Sequence, residues 1–247
     1  MEKINLTKLI AESSSYSRRQ AEQLIRDGVV FVDGKKAELG EKHDNSVSLE
    51  INGKIIKNNL IKKNIYLKLN KPSGYVCTNR SFKGEKNIFS LLKNAPQVET
   101  LFSIGRLDKD SSGLLLITND GDTNYRLSHP KFEHQKVYLV ELANSAIFQD
   151  KFFLENFLEK MMKSFRSGVD IEQETLARAK KIEYLGDRKF QVILTEGKKR
   201  QIREMFKYFK LKVVKLKRIK FAGIELNNLK EGEWKYLSPE EEKMLKK

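Results

Sequence analysis

Ile104-Gly105-Arg106-Leu107-Asp108-Lys109-Asp110-Ser111-Ser112-Gly113-Leu114-Leu115-Leu116-Ile117-Thr118-Asn119-Asp120-Gly121-Asp122 is the stretch that decides how this chain folds. The uncharged run Leu114–Ile117 is short, wholly apolar and followed by Thr118-Asn119-Asp120-Gly121, a cluster of turn formers. That combination predicts a buried strand that hands over to a turn. Just ahead of it, a loop between Gly105 and Gly113 carries Arg106 and Asp108. Read alone, a charged pair in such a loop is an exposed ion pair of small energetic weight. Set against a buried strand, the same pair is a candidate for chemistry.

The bulk properties narrow the field. The chain has 247 residues, of which 39% are hydrophobic, enough for one large domain or a small domain beside a larger one. Mean hydropathy is −0.55, and no apolar run approaches the roughly 18–20 residues of a membrane helix. The N-terminus lacks the apolar core of a secretion signal, because Glu12 and Ser13–Ser15 follow the short Leu9-Ile10-Ala11 patch. A soluble, cytoplasmic protein is expected. The single cysteine, Cys77, cannot form an internal disulfide and excludes cysteine-built metal sites. It reads as a small buried hydrophobe in a strand. His43, His129 and His134 show no metal-ligand spacing, so no metal site is expected. The net charge of +15 favours a polyanionic partner. Between Thr195 and Lys220, 11 basic residues face two glutamates.

Residues 4–56 read as a small helix-first module. Ser17-Arg18-Arg19-Gln20 has the form of a capping box, with serine at the N-cap and glutamine three residues on. Ala21, Leu24 and Ile25 then make one apolar stripe with Arg19 and Arg26 on the opposite face. Gly28 closes the helix, and Val29–Val32 followed by Asp33-Gly34 predicts a strand running into a hairpin. The polar stretch Lys57–Asn64 reads as a linker, dividing the chain into residues 1–60 and 61–247.

Beyond it, strands are expected at Ile65–Leu69, Tyr75–Thr78, Leu114–Ile117, Lys136–Leu142, Lys181–Tyr184, Lys189–Leu194 and Lys212–Leu216. Helices are expected at Ile88–Leu92, Asp122–Leu127, Ala146–Met162, Lys199–Phe209 and Pro239–Leu245. Several strands adjoin without a crossover helix, which predicts an α+β domain on a mixed, mostly antiparallel sheet. Alternation puts Tyr138, Val140 and Leu142 on one strand face. In the helix from Lys199, the residues Ile202, Met205, Phe206 and Phe209 form the apolar face, with Arg200, Arg203 and Lys207 opposite.

Gly105-Arg106-Leu107-Asp108 through Gly121 resembles the aspartate-bearing signature of RNA pseudouridine synthases. The likeness is to the branch acting on small- and large-subunit ribosomal RNA, whose members carry an N-terminal S4-type RNA-binding module. Leu69–Tyr75, Lys136–Val140, Glu196–Arg203 and the N-terminal module agree in the family's order. The resemblance implies that residues 1–60 form an S4-like domain and that residues 61–247 form the catalytic domain, with a cleft across a central sheet. It implies isomerisation of uridine to pseudouridine, which neither oxidises nor hydrolyses and so calls for no cofactor. Asp108 would act at the sugar and Tyr138 would stack on the uracil. Arg203 would pair with Asp108, since a nearby cation favours the ionised carboxylate and fixes its rotamer.

Arg106 would brace Asp108 or fill the gap left by the extruded nucleotide. Lys71 would pack below the loop or reach RNA phosphate. Arg18, Arg19 and Arg26 of the module, with Lys199, Arg200 and Lys207, are the remaining candidate RNA contacts. Glu204 stands where members of the family often have a further basic residue. The expected partner is ribosomal RNA, bound by a monomer with no membrane contact. The alternative is a non-catalytic S4-containing ribosome-binding or assembly protein. A hydrolase is disfavoured, because Asp108 and Asp110 have no further acidic cluster around them. The chain also lacks a phosphate-binding G-x-x-x-x-G-K-[ST] loop and a histidine-activated nucleophile.

Overall fold

The computed structural model describes residues 3–56, 64–78, 83–171 and 175–245. The expected linker therefore lies, up to residue 63, outside the described residues. The chain divides into two compact units, Met1–Asn64 with Pro96–Leu101, and Ile65–Ala95 with Phe102–Lys247.

In the first unit, helices α1 (Leu6–Ser13) and α2 (Arg18–Arg26) precede four short strands, β1 (Val30–Val32), β2 (Lys35–Lys36), β3 (Leu49–Ile51) and β4 (Lys54–Ile56), in the spatial order β2-β1-β3-β4. The capping box forms as the sequence predicts: Gln20 N donates to the Ser17 hydroxyl and Ser17 N donates to Gln20 Oε1. Ala21 and Ile25 are buried with Leu6, Leu9, Ile10 and the strand residues Val30, Leu49 and Ile51. Arg18 and Arg19 stay exposed.

The second unit is built on a nine-stranded sheet. Its strands are β5 (Tyr66–Lys71), β6 (Phe102–Ile104), β7 (Ser112–Thr118), β8 (Lys136–Leu142), β9 (Lys181–Tyr184), β10 (Lys189–Leu194), β11 (Val213–Phe221), β12 (Ile224–Glu225) and β13 (Trp234–Tyr236). Their order is β9-β10-β8-β11-β7-β5-β13, with β6 beside β7 and β12 beside β11. Every pair in this sheet is antiparallel except β7 with β11, where Ser112 faces Lys217 and Gly113 faces Arg218. An α+β fold on a mixed, mostly antiparallel sheet is what the sequence predicts.

From Gly113 to Thr118, β7 is buried throughout. β11 pairs with its first two residues, and β6 pairs along Leu116–Thr118. The loop carrying Asp108 connects β6 to β7, so it leaves the sheet where β11 and β7 part. Glycine is required at this point. Gly113 has φ of +102°, and a Cβ there would stand 2.3 Å from the Arg218 carbonyl oxygen.

One apolar core gathers Tyr138, Val140, Leu142, Phe190 and Val192 under helices α4 (Lys151–Ser167) and α5 (Gln201–Tyr208). A second gathers Tyr66, Ile104, Leu114, Leu116 and Phe221 with α3 (Gly121–Ser128) and α6 (Pro239–Leu245). Asp120 caps α3 by accepting from Asp122 N and Thr123 N, and it takes the Tyr66 hydroxyl at 2.6 Å.

Two helices differ from expectation. The segment from Ile88 is a short 3-10 turn. The segment from Ala146 forms a 3-10 turn and restarts as α4 after Asp150, whose carboxylate accepts from Phe153 N. α4 then runs on to Ser167 and stops at Gly168. The strands β6, β12 and β13 were not expected, because at two or three residues each they are shorter than the runs of four or more that read as strands.

Candidate active site

The loop Gly105–Ser111 is anchored from beneath. Lys71, at the end of β5, is fully buried, and its Nζ lies 2.6 Å from Ser111 O, 3.1 Å from Asp108 O, 3.1 Å from Pro72 O and 3.4 Å from Lys109 O. Burial pushes its pKa down, opposed by the charges of Asp110 and Asp108. Of the two roles open for Lys71, the structure supports packing below the loop. Reach to RNA phosphate is corrected, because the side chain has no access to solvent and its donors are occupied by loop carbonyls.

Arg203 also differs from expectation. Its Nη2 donates to Asp110 O at 2.9 Å, its Nη1 to Val213 O at 3.0 Å, and its Nε lies 3.2 Å from Asp110 Oδ2. Its partner is Asp110, two residues beyond the carboxylate it was expected to meet. Arg200 completes the arrangement with a two-pronged contact to Asp110, at 3.1 and 2.9 Å. Burial acts to raise the Asp110 pKa, but the Arg200 hydrogen bond and the charges of Arg203 and Arg200 outweigh it and hold the carboxyl below its ordinary value. Arg200 precedes α5 with φ of +52° instead of lying in its first turn, which frees its side chain to reach across to the loop.

Asp108 is thereby left for other work. It is half-buried, and its carboxylate has no hydrogen bond or ion pair among the described residues. It lines a cavity of about 620 Å³ together with Arg106, Lys136, Tyr138, Lys199, Arg200 and Arg218. Tyr138 is only 9% exposed and sits on β8 opposite Arg218 of β11 and Val192 of β10. Arg106 and Lys199 are exposed at this cavity. Asp108, Tyr138 and Arg106 are therefore brought together, as are Lys199 and Arg200. Arg203 and Lys207 face a neighbouring basic groove with Asp110, Lys210 and Lys212. Lys207 lies 3.6 Å from Glu204, so the acidic departure noted in the sequence is met by an adjacent lysine. In the first unit, Arg18 and Arg19 are exposed, and Arg26 pairs with Glu22 at 2.9 Å.

Arg218, Lys136, Gln201 and Cys77 also line the cavity and were not among the candidate site residues. Arg218 is 2% exposed; its Nε donates to Leu114 O at 2.7 Å and its guanidinium lies 4.8 Å from the Phe221 ring centre. Lys136 has its pKa lowered by burial and by the Arg218 charge. Gln201, buried at the start of α5, reaches Arg178 O and Glu196 Oε1 and accepts from Lys198 N, fixing the loop ahead of the helix. Cys77, read only as a structural hydrophobe, also reaches the cavity wall; its Sγ lies 3.4 Å from Leu107 O, and burial raises its pKa. Glu196–Arg203 signalled Gln201 as a motif position, but nothing local in Lys215–Lys220 distinguishes Arg218 from its basic neighbours.

Residues 65–208 match the family model for RNA pseudouridylate synthase, and residues 6–42 match that of the S4 domain. The chain is 36% identical to the ribosomal large subunit pseudouridine synthase B of Bacillus subtilis (strain 168), across 98% of its own length and 95% of the relative's. It is 34% identical to the dual-specificity RNA pseudouridine synthase RluF of Escherichia coli (strain K12), across 96% and 77%. A crystal structure of a pseudouridylate synthase superposes with a TM-score of 0.68 at 30% identity, covering 98% of this chain and 99% of that one. With an S4 domain followed by this catalytic fold, the chain belongs to the RNA pseudouridylate synthase family of enzymes.

Proposed function

We propose that the enzyme converts a uridine of ribosomal RNA to pseudouridine, with Asp108 acting at the ribose inside the cavity it shares with Tyr138. One observation carries this reading: a half-buried carboxylate without a side-chain partner among the described residues opens into a cavity of about 620 Å³ rimmed by cations. That volume falls in the usual range for sites that enclose one small ligand. Exposed basic side chains bind phosphates: Arg18, Arg19 and Arg26 in residues 1–60, and Lys199, Arg200 and Lys207 in residues 61–247. The affinity they give depends steeply on salt.

The target uridine leaves its stack at a cost of a few kcal/mol and enters the cavity, while Arg106 fills the gap. The N1–C1′ bond breaks, the uracil turns, and a C5–C1′ bond forms as the C5 proton is lost and N1 gains one. Attack by Asp108 on C1′ and removal of the C2′ proton both need an unpaired carboxylate beside the sugar. Tyr138 holds the ring, and Arg203 contributes through Asp110 by fixing the loop. The enzyme works in the cytoplasm as a monomer, and sedimentation at micromolar concentration checks the monomeric state.

Chemical tagging of pseudouridine in the rRNA of a strain lacking the gene tests the function. One or a few positions should lose the modification and regain it on complementation; an unchanged map contradicts the proposal. Removal of residues 1–60 should weaken rRNA binding and leave a folded remainder, whereas an insoluble remainder contradicts that boundary.

A further inference from the structure

A cluster of aromatic rings stands beside the cavity and takes no part in the chemistry above. Tyr125 lies near the end of α3, His129 and Phe132 in the turn that follows, and His134 just before β8. Ring centres are 5.1 Å apart for Tyr125 and His129, 6.1 Å for Tyr125 and Phe132, 6.3 Å for His129 and Phe132, and 6.2 Å for the stacked Phe132 and His134. Tyr125 is 50% exposed and Phe132 39% exposed, which forfeits much of the benefit of burying such rings. Lys131 Nζ hangs 5.2 Å from the Tyr125 centre and 4.8 Å from that of Phe132.

The cluster is continuous with the cavity wall. Ser128 and Pro130, which flank His129, line the cavity, as does Lys136 two residues after His134. Arg126, Lys131 and Lys136 outnumber Glu133, the one acidic residue in the segment 124–136. Rings accept a base of any identity on their faces, and an adjacent ammonium meets the phosphate that follows it.

We infer that Tyr125, Phe132 and their neighbouring rings form a stacking platform for unpaired nucleotides flanking the everted uridine, with Lys131 meeting their phosphate. This rests on the proposed function and adds the surface that holds the opened strand while the target base is inside. Each stacked base lost is expected to weaken binding roughly tenfold.

The test uses the full chain and fluorescein-labelled dodecauridylate as a single-stranded probe, with rRNA from the gene-deletion strain as reaction substrate. Tyr125→Leu with Phe132→Leu keeps apolar bulk and removes the π faces. This pair should weaken dodecauridylate binding about tenfold or more and raise KM for rRNA, with an unchanged thermal midpoint. Tyr125→Phe with Phe132→Tyr should restore both. Lys131→Ala should lower the salt slope by about one. Wild-type binding by the leucine pair, undetectable binding by the wild type, or a loss seen only as lowered thermal stability would overturn the platform. If the leucine pair leaves RNA affinity intact but releases a co-purifying protein, the surface serves a protein instead and the inference is wrong. Absence of pseudouridine formation by the wild type would count against the proposed function, whereas an active wild type with an unaltered leucine pair counts against the platform alone.

Discussion

Arg203 holds Asp110 and not Asp108: its Nη2 donates to the Asp110 carbonyl at 2.9 Å while its Nε lies 3.2 Å from the Asp110 carboxylate. Two carboxylates two residues apart in one loop are thus given different work. Asp110, gripped by Arg203 and Arg200, ties the loop to α5, and Asp108 is left unpaired toward the cavity.

A double-mutant cycle of Arg203→Gln and Asp110→Asn should give a coupling of about 1 kcal/mol, modest because the Asp110 side chain is 45% exposed. Arg203→Gln alone should also lower kcat by about 10²-fold, since a displaced loop misplaces Asp108. Arg203→Lys should rescue poorly, because one ammonium cannot span both Val213 O and Asp110 O with the guanidinium's fixed geometry. Zero coupling measured by urea unfolding would contradict the assignment.

Acid should weaken the same contact. The Asp110 pKa is lowered in the folded protein, so the folded state binds its proton less readily than the unfolded chain. Its contribution is fully present above the unfolded value near about 3.9 and is lost as pH falls through the folded value below it. The stability gap between wild type and Asp110→Asn, under about 1 kcal/mol for so exposed a group, should therefore narrow below about pH 4. A gap that widens on acidification contradicts this.

Lys71 supports the loop from below, and Lys71→Met keeps the stem while removing the ammonium that serves the carbonyls of Pro72, Asp108, Lys109 and Ser111. Leaving buried acceptors unpaired should destabilise by about 2–4 kcal/mol, a fall of roughly 5–15 °C in Tm for a chain of this size. RNA affinity should hardly change. A variant with wild-type Tm and weakened, salt-dependent RNA binding would return Lys71 to the RNA-contacting role.

How much of this was legible depends on the range of each interaction. The buried strand after Gly113, the capping box at Ser17 and the α5 apolar face follow from periodicity and local chemistry. Asp108 and Tyr138 entered through motif resemblance, and their meeting in one cavity is tertiary. The Arg203 partner was misassigned because Asp108 and Asp110 lie in the same loop. The choice between them depends on where Arg200, just ahead of α5, and Arg203, within it, stand some 90 residues later. Arg218 was hidden for a similar reason: among Lys215, Lys217 and Lys220 it looks like one more surface cation, and only the close approach at Gly113 puts it inside.

The most direct test is tritium release from rRNA labelled at uridine C5, comparing wild type with Asp108→Asn. The substitution removes the carboxylate charge and nearly preserves its shape. Because Asp108 has no side-chain partner among the described residues, Tm and RNA affinity should stay close to wild type. Tritium release by the variant should fall to background while the wild type turns over. Release by Asp108→Asn at the wild-type rate would contradict the account at its centre.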